Sequence, residues 1–298
     1  MIRFGIVGTG WRAEFYLWVV AACPDRFACV GMVSRDPDRA EHLGSELGVP
    51  LFGSIEEIVA AGKPDFTVTS LPRSVNPAAI EALVGLGQPV LSETPPADTL
   101  DDLLAVYALA ESGGKIQVAE QYHLQPHHAA RIAYARSGKI GDVTQAQVSA
   151  AHGYHGISLI RRLLGIGYED ATISGQSFTS PIVATMGREG PDEAEAIEET
   201  TQKIAMFDFG DRLGVFDFVG DQYRSHIRGQ RFMARGVRGE ILQEEATYLQ
   251  DHVTPIKLPF IRHEAGPRGN LEGNFLKGIY GRGGMDLPES APTRRTCR

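Results

Sequence analysis

Ile2-Arg3-Phe4-Gly5-Ile6-Val7-Gly8-Thr9-Gly10-Trp11-Arg12-Ala13 opens the chain, and the reading of this stretch decides the fold. An apolar run ends in G-x-G-x-x-A and passes directly into a segment where Phe15, Trp18, Val19 and Ala22 recur at helical spacing. Strand, glycine turn and helix in immediate succession form the context that gives this fingerprint its meaning. Gly8 permits the tight turn, Gly10 lets backbone approach a pyrophosphate, and Ala13 keeps helix and strand close. The N–H groups of the helix start, at Trp11 and Arg12, would face the anion, with Thr9 completing the loop.

Outward from the fingerprint, short apolar runs alternate with helical periodicity as far as Ala119. Strands are predicted at Ile2–Val7, Phe27–Val33, Phe66–Leu71, Pro89–Leu91 and Ile116–Ala119. The stripes Phe15/Trp18/Val19/Ala22, Ala79/Ala82/Leu83/Leu86 and Leu100/Leu103/Leu104/Tyr107 are expected to pack helices on that sheet. The expectation is an α/β chain whose residues 1–120 form a Rossmann domain, a doubly wound parallel sheet.

The texture changes after Gln121. A helix is predicted at Pro126–Ser137, a strand at Val143–Ala150 and a helix at His155–Leu164. Beyond them come strands at Gln202–Phe209, Leu213–Val219, Arg231–Ala234 and Gly239–Leu242, separated by Gly, Asp and Arg turns. Residues 121–298 thus read as an α+β domain with a large, mostly antiparallel sheet. The acidic stretch Glu189–Glu199 reads as a solvated loop, and the aperiodic tail from Gly281 as disordered.

A formal charge of -8 argues against a nucleic-acid partner or an anionic membrane surface, because both are held by clustered Lys and Arg. The apolar run Phe15–Cys23 is too short to span a bilayer and follows a glycine turn, so a cytoplasmic location is expected. Cys23, Cys29 and Cys297 lack metal-ligand spacing, and no metal site is expected.

The second predicted strand ends at Val33, where a dinucleotide site selects its cofactor. NAD sites commonly place a carboxylate there to accept from the ribose 2′-OH. Ser34 and Arg35 stand there instead, a hydroxyl and a guanidinium suited to a 2′-phosphate. NADP is the expected cofactor, with NAD the alternative through Asp36.

Further landmarks accumulate: Ser34-Arg35-Asp36-Pro37-Asp38-Arg39-Ala40, Pro72, Glu93-Thr94-Pro95, Gly138-Lys139-Ile140-Gly141-Asp142-Val143, and His155 ahead of Leu163-Leu164-Gly165. With the fingerprint, these resemble the Gfo/Idh/MocA family of sugar and polyol oxidoreductases over nearly all of positions 1–280. The resemblance implies that Leu71, Pro72, Glu93 and Thr94 flank the nicotinamide end of the cofactor. It also implies an acid/base role for His155, since an imidazole can exchange the hydroxyl proton that accompanies hydride transfer.

The chain departs from the family pattern at three positions. Thr94 replaces the lysine of E-K-P and carries no charge, leaving it to hydrogen-bond ribose or substrate. Ala151 and Ser158 stand where the family favours aspartates around the histidine. His152 is the candidate orienting group in their place, with His123 and Tyr122 as further polar candidates. His127 and His128 read as surface residues at a helix start. Relatives continue with helices where this chain has Gly281-Arg282-Gly283-Gly284, which implies homo-oligomer formation through the open face of the C-terminal sheet.

The function expected is an NAD(P)-dependent oxidoreductase acting on a sugar, polyol or related carbonyl compound. A dinucleotide-dependent glycosidase using transient oxidation, or a non-catalytic dinucleotide-binding protein, stays open as the alternative.

Overall fold

The computed structural model describes residues 1–187, 190–191, 194–264 and 276–281. They fall into two compact units, one running Met1–Glu120 and the other beginning at Gln121.

In the first unit, strands β1 (Ile2–Val7), β2 (Phe27–Val33), β3 (Leu51–Phe52), β4 (Phe66–Thr69), β5 (Val90–Ser92) and β6 (Ile116–Val118) form one parallel sheet in the order β3-β2-β1-β4-β5-β6. Phe4, Ile6, Val7, Met32 and Val68 are all buried, as continuous apolar strands covered on both faces require. The chain runs outward in one direction through β1, β2 and β3 and in the other through β4, β5 and β6. The order reverses between β1 and β4, and a crevice opens beyond their carboxyl ends.

Helices α1 (Trp11–Ala22), α2 (Pro37–Gly44), α3 (Ile55–Glu57), α4 (Asn76–Gly85) and α5 (Leu100–Glu111) link the strands. Asp36 caps α2 by accepting from the Arg39 N–H at 3.0 Å, with proline in the first turn. Thr99 caps α5 through the Asp102 N–H at 3.1 Å.

Two predicted core stripes are corrected. On α1 the buried residues are Ala13 and Leu17, whereas Trp18 is 58% exposed and Phe15 38%. On α5 Val106 is buried, and Leu100, Leu103, Leu104 and Tyr107 are exposed. Both helices are apolar on more than one face, so periodicity identifies the helix without identifying the stripe that meets the sheet. On α4 Ala79 and Leu83 are buried as expected, while Leu86 is exposed.

The second unit packs α6 (Pro126–Arg136) and α7 (Gly153–Leu164) on a nine-stranded sheet. Its strands are β7 (Val143–Ser149), β8 (Thr172–Val183), β9 (Ile197–Asp208), β10 (Leu213–Phe218), β11 (Arg231–Gly236), β12 (Gly239–Leu242), β13 (Glu245–Leu249), β14 (Pro255–Glu264) and β15 (Leu276–Gly281). They run in the order β15-β14-β13-β12-β11-β7-β10-β9-β8, with β7 and β10 the parallel pair among antiparallel neighbours. Ile132, Leu159, Ile160 and Leu163 from the helices interlock with Val148, Phe216, Phe232 and Ile241 from the strands in one core.

The loop predicted at Glu189–Glu199 is shorter than expected. Ile197, Glu198 and Glu199 begin β9 and pair with Val183, Ile182 and Pro181 of β8. A charged run becomes strand here because its partner completes the backbone hydrogen bonds while the side chains stay in solvent. Residues 189, 192 and 193 of that stretch, and the tail predicted beyond Gly281, lie outside the described residues. Among the described residues no helix is long and apolar enough to cross a membrane.

Candidate functional site

Gly8 follows β1 directly and has φ +108°, a left-handed conformation that a side chain would resist. A Cβ there would lie 2.2 Å from the Ser70 carbonyl oxygen, so backbone meets backbone at the strand-order reversal. Gly8 N–H donates to Val33 O and Ser70 N–H to Val7 O, each at 2.8 Å, which ties the turn to the ends of β2 and β1. Gly10 has ordinary extended angles, φ −66° and ψ 166°. A Cβ at Gly10 would meet Ser70 Oγ at 3.3 Å and Ser70 O at 3.4 Å. As the cap of α1 it has no side chain to satisfy the helix's first N–H groups, which are left for a ligand. These residues fit a pyrophosphate.

At the end of β2, Ser34 Oγ accepts from the Asp36 N–H at 3.0 Å and lies 3.3 Å from Thr9 Oγ1. Arg35 is exposed beside it. The Asp36 carboxylate is engaged as the α2 cap. Arg39, which sequence reasoning passed over, donates from Nε to the Thr9 carbonyl at 2.8 Å and holds a second guanidinium on the glycine loop. Its signal was faint: an arginine in the first turn of the helix after β2.

Glu93, beyond β5, takes the Tyr16 hydroxyl on Oε1 at 3.0 Å, and its Oε2 lies 3.5 Å from Arg12 Nε. The Thr94 N–H turns back to Glu93 Oε2 at 3.3 Å. Burial, then the Glu93 carboxylate, push the Tyr16 hydroxyl above its ordinary pKa, with Arg12 opposing. Trp11 is exposed, and the Arg12 guanidinium lies 4.6 Å from its ring. Asn76, also missed, is 2% exposed and donates through Nδ2 to Ser92 Oγ and Pro96 O, both at 2.9 Å. It fixes the Glu93-Thr94-Pro95 loop from beneath. Leu71 is half-buried and Pro72 exposed, and the Pro72 carbonyl accepts from Val75 and Asn76 at 3.1 Å.

In the second unit, His155 lies in the first turn of α7 and is 6% exposed. Its ring stands 4.4 Å from Tyr154, 4.5 Å from Tyr122 and 4.8 Å from His152, centroid to centroid. His152 caps α7, and the Tyr223 hydroxyl accepts its backbone N–H at 2.9 Å. That hydroxyl also lies 2.5 Å from His152 Nδ1, while Tyr154 OH is 3.4 Å from Nε2. Both ring nitrogens of His152 are thus met by tyrosine hydroxyls, which orients the imidazole edge-on toward His155. Ala151 is fully buried and Ser158 half-buried. Gly156 is a packing requirement, since a Cβ there would sit 2.7 Å from the Phe216 ring and 2.8 Å from the Ala151 carbonyl.

His123 and His127 are half-buried. The surface reading of His128 is corrected: it is 1% exposed, with its ring 5.6 Å from Phe232 and 4.1 Å from His127. Burial first, then His127 and Arg131, hold its pKa down to about 2. A helix-start position suggested exposure, but β11 folds over this end of α6. Among the described residues no group of His, Cys, Asp and Glu side chains is arranged to hold a metal ion.

The oxidoreductase family with an NAD-binding Rossmann fold matches residues 2–122. The chain is 33% identical to myo-inositol dehydrogenase Hyg17 of Streptomyces leeuwenhoekii over 253 residues, 76% of this chain and 74% of that protein. It is 30% identical over 148 residues to D-xylose 1-dehydrogenase (NADP(+)) 2 of Haloferax volcanii, and 29% identical over 147 residues to protein YMR315W of Saccharomyces cerevisiae. Those matches span 45% and 42% of the relatives' lengths, about half of each. The WlbA dehydrogenase of Bordetella pertussis, solved with NADH and UDP-GlcNAcA, shares the fold at TM-score 0.63 and 18% identity over 85% of this chain and 78% of that one. The glycine turn against Ser70, the sheet order and these matches agree: the chain belongs to the Gfo/Idh/MocA family of oxidoreductases with an NAD-binding Rossmann fold.

Proposed function

We propose that the chain is a cytoplasmic, NADP-linked oxidoreductase that interconverts an alcohol and a carbonyl on a sugar, polyol or related compound. The observation that carries this reading is the approach of Gly8 and Gly10 to Ser70 at the strand-order reversal, which leaves bare backbone to face a pyrophosphate. The dinucleotide, when bound, supplies or accepts hydride at its nicotinamide ring. Gly8, Thr9, Gly10, Trp11 and Arg12 would hold the pyrophosphate, and Leu71, Pro72, Glu93 and Thr94 the nicotinamide end. Ser34 and Arg35 would take the 2′-phosphate. Arg35 at the end of β2, with the Arg39 guanidinium held on the glycine loop, supports NADP over NAD, because both are cations suited to a 2′-phosphate. The name of the Haloferax relative, with NADP(+), points the same way.

His155 would exchange the hydroxyl proton, and His152, held by Tyr223 and Tyr154, would orient it. Dehydrogenases of D-xylose and myo-inositol among the relatives support a polyhydroxylated substrate. Phe178, Met206 and Leu242 are exposed on the sheet face turned away from α6 and α7, which supports pairing of copies through that face.

Thr94 favours a second reading, the glycosidase, since an uncharged group there gives no electrostatic help to net dehydrogenation. A panel of sugars, inositols and glycosides read by nicotinamide absorbance tests both. Net absorbance change with a sugar or polyol is expected; glycoside cleavage without it selects the second reading, and binding without either reaction the non-catalytic one.

A further inference from the structure

Arg131 on α6 is 7% exposed, an unusual depth for a guanidinium. Burial lowers its pKa and Glu244 raises it, leaving it at about 10, so the charge persists. Nε donates to the Gln243 carbonyl at 2.7 Å, Nη1 lies 3.4 Å from His128 Nδ1, and the guanidinium sits 4.6 Å from the centre of the Phe232 ring. None of these partners is an anion, and among the described residues no carboxylate stands within ion-pairing distance of Arg131. Buried charges are ordinarily paired, because an unpaired one forfeits its hydration. Guanidinium N–H groups here remain uncommitted.

Arg131 forms part of the wall of a cavity of about 490 Å³, a volume suited to a small molecule. Phe232 and Ala150 are its other buried walls; His127 is half-buried, and Gln230 and Glu244 are exposed at the mouth. The guanidinium is positioned by a constrained turn. Gln243 has φ +55°, in the left-handed region, and is held there because its Oε1 accepts from Phe232 N–H at 2.9 Å and its Nε2 donates to Gln230 O at 2.8 Å. That turn aims the Gln243 carbonyl at Arg131.

We propose that this cavity binds a small carboxylate-bearing molecule, its carboxylate received by Arg131 and its hydroxyls by His127 and Gln230. One planar guanidinium fork matches the paired oxygens of a carboxylate, and Glu244 at the mouth disfavours a phosphate dianion. Packed rings separate the cavity from His155: Phe232 and His128 at 5.6 Å, His128 and Tyr122 at 6.4 Å, and Tyr122 and His155 at 4.5 Å.

Calorimetric titration of the full chain with D-glucuronate, D-glucose and the uncharged methyl ester of D-glucuronate tests the site without turnover. Saturable binding of glucuronate alone is expected. Arg131→Gln should weaken it at least about tenfold, the scale of a charge-assisted pair. Glu244→Gln, at an exposed position where folding is not at stake, should tighten it by about threefold, because a repulsive carboxylate is removed. Glucuronate binding no tighter than glucose, or of unchanged strength in Arg131→Gln or in Glu244→Gln, overturns the proposal.

Discussion

The hydroxyl of Tyr16 donates to Glu93 Oε1 at 3.0 Å, joining the helix that follows the glycine fingerprint to the loop beyond β5. Arg12, one turn earlier on α1, approaches the same carboxylate at 3.5 Å. The start of α1 and the Glu93-Thr94-Pro95 loop are therefore held as one piece. Tyr16→Phe should lower unfolding free energy by roughly 1–2 kcal/mol, the range for a hydrogen bond to a charged group discounted for partial exposure. Denaturant titration measures it, and an unchanged midpoint would show that the contact contributes nothing.

Cofactor choice is tested at Arg35. If its guanidinium receives the 2′-phosphate, Arg35→Ala should cost about 1.5–3 kcal/mol of NADP binding, at least about tenfold, with NAD affinity little changed. Arg39→Ala is the informative companion. Because Arg39 holds the Thr9 carbonyl, its loss should weaken both dinucleotides together. Equal losses for both cofactors in Arg35→Ala would reject the assignment.

His155 carries the proposed proton exchange. Turnover in His155→Ala should fall by roughly 10²–10⁴, the usual contribution of general acid-base catalysis, with cofactor affinity nearly intact. Tyr223→Phe should lower turnover less, since His152 keeps Tyr154 as a partner. Full turnover in His155→Ala would move the chemistry elsewhere.

Acid sensitivity of the second unit should trace to His128. Its pKa is about 2 folded against 6.5 in the unfolded chain, so between those values the unfolded state binds the extra proton. Its contribution is intact above pH 6.5 and is lost as pH falls below it, by about 1.4 kcal/mol per pH unit. His128→Leu should flatten the stability profile between about pH 6.5 and 5. Parallel profiles for the two proteins would contradict the buried, neutral imidazole.

What could be read in advance follows the range of the interactions. The parallel strands were legible because burial on both faces demands continuous apolar runs, and Gly8 and Gly10 because a turn is a local motif. Strand β8 was not, since most of its residues are exposed and no alternation marks them. The exposed stripes of α1 and α5 were misread because an all-round apolar helix does not announce which face the sheet will take. Tyr16, Asn76 and Arg131 escaped notice for a related reason. Their partners Glu93, Pro96 and Gln243 lie far along the chain, and nothing near them marks the contact. The burial of His128 likewise depends on a partner distant in sequence, Phe232.

The central claim is that the turn after β1 receives a dinucleotide through its bare backbone. Gly10→Val tests it most directly, because the extended angles at Gly10 suit valine, whereas Gly8 could not change without displacing Ser70. The measurement is the dissociation constant for NADP, wild type against Gly10→Val, with circular dichroism confirming the fold. Saturable wild-type binding that weakens by about a hundredfold or more in the folded variant is the predicted result. Binding of equal strength in both would contradict it.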